Sequence, residues 1–454
     1  PAQRAEAALA LARHAFEERR LDDAVEQAQH ALDESLRSRD ADLTGRARVE
    51  IALVHSEAGR AAEALAQLAL AHDWGAEHPV GEHCLSWNHT RAWACMAAED
   101  FDGSVRAFER CLAIPGLRED RAQYASVLGN VAVVLARQGA MAAALRYDEQ
   151  RRSLLEPHEV GGTTQNYLEL NAALLLGMAG RWREALDYFE RAQQRGVPDT
   201  RMLHARWAHA WLQLGQHARA QRHAELALAT EQGHALVRMA ALLTRAQIQL
   251  AQGLPVTDVA GVLAQSEALA AADGSRAGRV RLLLARAELV SPGQGQAAAA
   301  EAMALAAAGG LRGLQLAAAT LLVEHALAAG VAGSNAWPAA AAATLPALAV
   351  RDALDDAARA LTVLTDEYRS DVVARSRSVL ARARLIERDD PAAADACVQQ
   401  EAARLTALAA TEVPESFRDA FLDRNPVHRA LRHWSARLVL QPRLPREAAP
   451  PALT

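Results

Sequence analysis

The residues of this chain best suited to chemistry are its histidines, and the densest run of them, His72, His78, His83 and His89 together with Cys84, falls in one short stretch. Imidazole nitrogen and thiolate sulfur are ordinary ligands of zinc, and a metal held there would activate a water for hydrolysis. Helical metal sites place ligands three or four residues apart, whereas His83 and His89 are six apart with no acidic partner interleaved. The spacing favours polar loop histidines, and a metal enzyme built on this junction stays open as the competing reading. A second group, His204, His209, His217, His223 and His234, also lacks same-face spacing and reads as surface or inter-helix residues.

Other chemistries find less support. A phosphate-binding loop GxxxxGKS/T needs a lysine, and all 49 basic residues are arginine. No GxSxG elbow occurs, and Asp100-Phe101-Asp102-Gly103 resembles a kinase metal-binding tripeptide without any catalytic-loop companion. Cys84, Cys95, Cys111 and Cys397 lack CxxC spacing and the density of a secreted disulfide scaffold, so buried thiols and a cytoplasmic protein are expected. The pairs Asp22-Asp23, Asp355-Asp356 and Asp389-Asp390 fall at helix starts or in loops, where the helix dipole favours carboxylates. The chain therefore reads as no enzyme, with no catalytic residue, no metal and no cofactor.

A net charge of -6 supplies no basic surplus for neutralising phosphates, which argues against nucleic acid as a partner. The longest apolar stretch, about residues 294–322, is interrupted by Glu301, Arg312 and a glycine pair, so no membrane span is expected. Hydrophobic residues are 51% of the chain but aromatics only 4%. Such a core must come from closely packed, alanine-rich helices, because alanine is the best helix former and lets axes approach. The expected class is all-α.

What positions the polar residues is a repeat. The same punctuation recurs, a helix, a short turn often carrying glycine, and a second helix opening on small residues. It appears at Ala58-Gly59-Arg60-Ala61, Gln138-Gly139-Ala140-Met141, Ala179-Gly180-Arg181-Trp182 and Leu214-Gly215-Gln216-His217. The small residue of the second helix falls at Ala24, Ala64, Ser104, Ala144, Ala185 and Ala220, a period of about forty. Ala173, Gly180, Ala185, Phe189 and Ala192, closed by Pro198, show the pattern best.

This pattern resembles the tetratricopeptide repeat. The resemblance implies a right-handed superhelical solenoid of antiparallel helix pairs whose first helices line a concave face, with longer helices than usual and a wide superhelix. It covers about six repeats over residues 4–230, with degenerate alanine-rich pairs over 231–350. A longer-helix capping segment follows over 351–440 and a proline-rich tail over 441–454.

Near the C-terminus, Val413-Pro414-Glu415-Ser416-Phe417-Arg418-Asp419-Ala420-Phe421-Leu422-Asp423-Arg424-Asn425-Pro426-Val427-His428-Arg429 resembles the closing motif of large bacterial signal-transduction ATPase regulators of the STAND type. That resemblance implies a sensor arm, with an ATPase or effector module preceding Pro1 as an intramolecular partner. The residues themselves also suit a final helix-turn-helix cap, with Phe417, Phe421 and Trp434 packed on the last repeat.

Aligning the first helices from their turns backwards puts Thr90, Asn130, Asn171 and Arg206 at one position, and Trp93, Val133, Leu174 and His209 one turn on. Asparagine is scarce, six in all, yet Asn88, Asn130, Asn166 and Asn171 fall in the first helices of repeats three to five. An interior helical asparagine competes for backbone hydrogen bonds, so its placement needs another use. Its carboxamide offers donor and acceptor to an extended backbone. The expected site is a concave groove of Thr90, Trp93, Asn130, Asn171, Arg206 and His209 that binds a peptide, a protein or a small inducer. Amides that tie helices together are the competing reading, and a stand-alone adaptor the competing function.

Overall fold

The computed structural model describes residues 1–18, 20–75, 81–154, 163–196, 200–229, 235–290, 292–328, 347–367, 371–387 and 389–440, and every regular element among them is a helix. Repeat one pairs α1 (Ala2–Glu17) with α2 (Leu21–Ser38), and repeat two pairs α3 (Ala41–Glu57) with α4 (Ala61–Leu70), followed by the single turn α5 (His72–Gly75). Repeats three and four are α6 (Glu82–Ala97) with α7 (Phe101–Leu112) and α8 (Arg121–Gln138) with α9 (Met141–Leu154). Repeats five and six are α10 (Thr163–Met178) with α11 (Trp182–Arg195) and α12 (Thr200–Gln213) with α13 (His217–Leu228). Then come α14 (Ala235–Ala251) with α15 (Val259–Asp273), α16 (Arg276–Leu289) with α17 (Pro292–Ala308), and α18 (Arg312–Ala328) with α19 (Ala347–Glu367). The chain closes with α20 (Val372–Ile386), α21 (Pro391–Thr411) and α22 (Pro426–Leu440). Pro198, the segment Gly330–Asn335 and the tail 441–454 lie outside the described residues.

Burial separates inner from outer helices. First helices such as α8 bury residues around most of their circumference, from Tyr124 to Ala136, while α7 buries one face and leaves the other to solvent. The first helices thus form an inner wall and the second an outer one. Ala24, Ala64, Ser104, Ala144, Ala185 and Ala220 are all 0% exposed, which lets the two helices of each pair touch nearly backbone to backbone. Phe108 and Phe189 fill the gap toward the next pair, and Phe189 stacks on Trp207 at 5.6 Å.

The superhelix closes on itself. The turn after α3 lies under the Asp273 carbonyl, and the turn after α6 caps α16 through Glu99. In repeat five, Met178 O accepts the Asp371 N–H and the Arg183 N–H reaches Glu412 O, both at 2.9 Å. In repeat six, Gly215 meets the Ala420 carbonyl so closely that a Cβ would press into it, and its φ of +67° favours glycine. The inter-helix turns of the first superhelical turn are therefore the docking edge for the second, and this line of contacts forms a seam. One core accordingly joins Phe108, Leu128 and Val131 to Leu283, Leu322 and Leu361, and another joins Leu170, Phe189 and Leu214 to Leu405, Phe421 and Trp434. If the first helices face the superhelix axis throughout, they line a lumen inside these two turns.

The stretch 413–429 lies on repeat six, at the last of these seam contacts. Glu415–Phe417 is a 3-10 turn, Ala420–Arg424 a π turn, and Asn425 Oδ1 accepts the Val427 N–H at 3.0 Å to start α22. Phe417 sets its edge on Trp211 at 5.4 Å under the Arg219 guanidinium, and Phe421 is wholly buried against His428.

Candidate functional site

Asn130 on α8 and Asn171 on α10 occupy the equivalent inner positions, and each reaches sideways to a neighbouring first helix. Asn130 Nδ2 donates to His89 Nε2 on α6 at 3.2 Å, so His89 carries its proton on Nδ1. Burial pushes His89 down to about 4, which keeps it neutral at physiological pH. Arg206 Nη1 on α12 donates to Asn171 Oδ1 at 3.1 Å. Both amides tie repeats together and both remain half-buried. They keep hydrogen-bonding capacity, since each carboxamide uses one of its two polar ends in these contacts.

Trp93 is half-buried and stands edge-on to Phe108 at 5.8 Å and to His89 at 6.2 Å, an aromatic patch beside the Asn130 amide. Thr90 is only 3% exposed and packs inside the wall. Asn88 is equally buried and donates to Cys84 O at 2.9 Å, while Asn166 is a residue whose side chain lies outside the described set.

His209 is drawn into a cluster that spacing did not show. Its Nε2 lies 3.3 Å from Asp371 Oδ2 and 3.1 Å from Gln213 Nε2, and Gln213 Nε2 also donates to Asp371 Oδ1 at 3.0 Å. Desolvation pulls the His209 imidazole down, even with 46% of its side chain exposed, but the hydrogen bond and charge of Asp371 outweigh it and hold the pKa above the ordinary value. Burial raises Asp371, and His209, the Ala374 N–H and Gln213 together hold it below the ordinary carboxylate. A narrow cleft beside the cluster is lined by Leu174, Met178, Trp182, Phe189 and Ala210. Asp371 starts α20, and an aspartate before a helical run is a legible N-cap, yet nothing in the spacing assigns it to α12.

The histidine groups fall apart or find other partners. His72 meets Trp87 edge-on, His83 stacks on Trp74 at 4.5 Å beside Asp42, and His89 serves Asn130, while His78 and His234 lie outside the described residues. Among the described residues no three His, Cys, Asp or Glu side chains gather as a metal site would require. His204 and His223 do meet, Nδ1 to Nδ1 at 3.0 Å, as an inter-helix pair within repeat six. Cys84, Cys95 and Cys111 are buried free thiols, and no described helix is long and apolar enough to cross a membrane.

No family model and no curated protein matches the chain. Among solved structures, a Rap protein complexed with competence and sporulation factor is similar at 13% identity and a TM-score of 0.57, covering 81% of this chain and 100% of that one. A tetratricopeptide repeat protein from Parabacteroides merdae ATCC 43184 overlaps at 14% identity and a TM-score of 0.41, covering 62% of this chain and 98% of that one. At these identities the likeness is one of fold. The likeness to the Rap protein, together with the paired helices and their buried small residues, makes the fold an all-α repeat solenoid.

Proposed function

We propose that the chain is a non-catalytic binding region that holds an extended peptide, or an extended segment of a protein, along the lumen wall. The observation that carries this reading is the stripe formed by Trp93, Asn130, Asn171, Arg206 and His209 on successive inner helices. Carboxamides at the repeat spacing match the regular donors and acceptors of an extended backbone, the aromatic patch suits an apolar side chain, and Arg206 adds a cation. The Rap protein of similar fold is itself seen with a bound factor, which is a precedent for ligand capture on such a scaffold.

The stretch 413–429 supports placing this region in a bacterial signalling regulator, as a cytoplasmic sensor arm facing an effector module. Signal transfer would then act on the seam, because the turn-to-turn contacts tie the array's curvature to them. The same seam favours a second reading, a rigid adaptor that joins partners without changing shape.

The test is a peptide array probed with the purified chain, repeated with Asn130→Ala/Asn171→Ala and with Trp93→Ala. Peptides retained by the wild type and lost by both variants support the lumen. Retention by all three proteins removes the lumen as the site.

A further inference from the structure

Asp371 belongs to the second superhelical turn but spends its carboxylate on the first. Oδ1 accepts from Gln213 Nε2 at 3.0 Å and from the Ala374 N–H at 3.0 Å, and Oδ2 lies 3.3 Å from His209 Nε2. Its own N–H is spent on Met178 O at 2.9 Å, and its φ is +63°, a conformation that L side chains with a Cβ resist. Strain of this kind persists where the surroundings over-determine a residue, as at clamps and switches. The donors that receive Asp371 sit one turn apart on the inner face of α12, in line with Arg206, where a lumen ligand would lie.

Gln213 makes the site adjustable. Its amide nitrogen has two hydrogens, and it is within reach of both Asp371 Oδ1 and His209 Nε2. When His209 is protonated, Nε2–H donates to Asp371 Oδ2. When it is neutral with its proton on Nδ1, Nε2 accepts from Gln213 and Asp371 keeps only the Gln213 and Ala374 donors.

We propose that His209 and Gln213 form a carboxylate-recognition site, and that Asp371 occupies it as a tethered ligand which a carboxylate of a bound peptide displaces. Displacement removes the carboxylate's share of the seam, while the Asp371 N–H on Met178 O and the Val373 N–H on Gln213 Oε1 at 3.3 Å still hold α20, so a lumen carboxylate and this part of the seam compete. The site stands on its own geometry, while its role in peptide capture rests on the proposed function.

The other charges packed around the cluster are engaged elsewhere. Arg206 donates to Asn171, Arg375 to Thr365 O at 3.0 Å and to Glu401, and Arg183 to Thr411 O at 3.0 Å. Glu401 on α21 is further held by Arg404 and Ser376, and His428 on α22 by Phe421 O. His209 therefore reports on the carboxylate beside it.

The experiment is rescue of Asp371→Ala, with the full chain labelled at histidine Cε1 and the His209 resonance assigned by its loss in His209→Asn. Removing the carboxylate should lower the His209 titration midpoint by about one pH unit. N-acetylglycine, which carries a peptide's terminal carboxylate, and N-acetylaspartate amide, which carries a side-chain one, should restore it, whereas N-acetylglycinamide at equal ionic strength should not. The more effective acid identifies which carboxylate the site takes. Asp371→Asn, which fills the site with a neutral amide, should show the lowered midpoint without rescue. If neither acid outperforms the neutral amide, or if Asp371→Asn responds as strongly as Asp371→Ala, the proposal fails. Both outcomes are independent of whether any peptide binds the lumen.

Discussion

Glu99 and Ala277, 178 residues apart in the chain, are joined by one hydrogen bond in which Glu99 Oε1 accepts the Ala277 backbone N–H at 2.8 Å. Glu99 stands where other repeat turns carry glycine, and it adopts φ +60° despite its side chain. In return it caps the start of α16 and pairs with Arg276 across the seam. Local strain in repeat three thus supports a contact between superhelical turns.

Glu99→Ala keeps the strained backbone and loses the cap, so it should cost about 1–2 kcal/mol, the range of a lost N-cap. Glu99→Gly loses the same cap but relieves roughly 1 kcal/mol of left-handed strain, and should be the milder change. Urea midpoints of the two variants, measured beside the wild type, give the ranking. Glu99→Ala as stable as Glu99→Gly would mean that the turn is not strained.

The seam makes a matching prediction for glycines. Gly196 has φ +74° with open space around it, so Gly196→Ala should cost about 1 kcal/mol for backbone strain alone. Gly215 has a similar φ but lies against the Ala420 carbonyl. Gly215→Ala must push the π turn away, costing in addition the 1–3 kcal/mol typical of overpacking. Hydrogen exchange should quicken in α22 for Gly215→Ala and not for Gly196→Ala.

The His209–Asp371 pair predicts a pH window. The raised His209 pKa means its contribution is complete below the ordinary imidazole value of 6.5 and fades as pH rises through the folded value. The lowered Asp371 pKa means its contribution is complete above the ordinary carboxylate value of 3.8 and fades as pH falls through the folded one. The difference in thermal midpoint between wild type and His209→Gln should therefore be largest between these two values and shrink toward alkaline pH. A difference that is flat with pH would show that the pair is not ionised together.

The buried alanines predict intolerance of size. Ala185→Leu adds volume where α10 and α11 touch at a residue with no exposed surface, and should cost about 1–3 kcal/mol, while Ala218→Leu on the outer face should be nearly neutral. Thermal melts of the two proteins suffice to compare them.

Much of the fold was legible because it repeats. The small residues at 24, 64, 104, 144, 185 and 220 announce a helix pair each, and every one of them is buried. Asn130 and Asn171 could be aligned for the same reason, since equivalent positions on successive helices face one way. The seam was not legible. Glu99, Gln213 and Asp371 carry no periodic signal, and their partners lie far along the chain, where only the superhelical pitch decides what meets. Thr90 shows the limit of alignment within the repeat, for it is buried in the wall while Asn130, Asn171 and Arg206 at the aligned position are partly exposed. The packing of 413–429 on repeat six likewise depends on pitch, because Trp211 reaches Phe417 only when the second turn returns over the first.

The central claim is that the inner stripe, and not the outer helices, receives the ligand. The direct measurement is calorimetric titration of an array-selected peptide into wild type, Asn130→Ala/Asn171→Ala and an outer-face control, Arg110→Ala. Each amide also ties two repeats, so the double variant should lose about 1–2 kcal/mol of stability while remaining folded by circular dichroism. Its affinity should fall at least about tenfold, the loss of roughly 1.4 kcal/mol of contact, with the control unchanged. Equal affinity for all three proteins would contradict the account and leave both asparagines as inter-repeat ties alone.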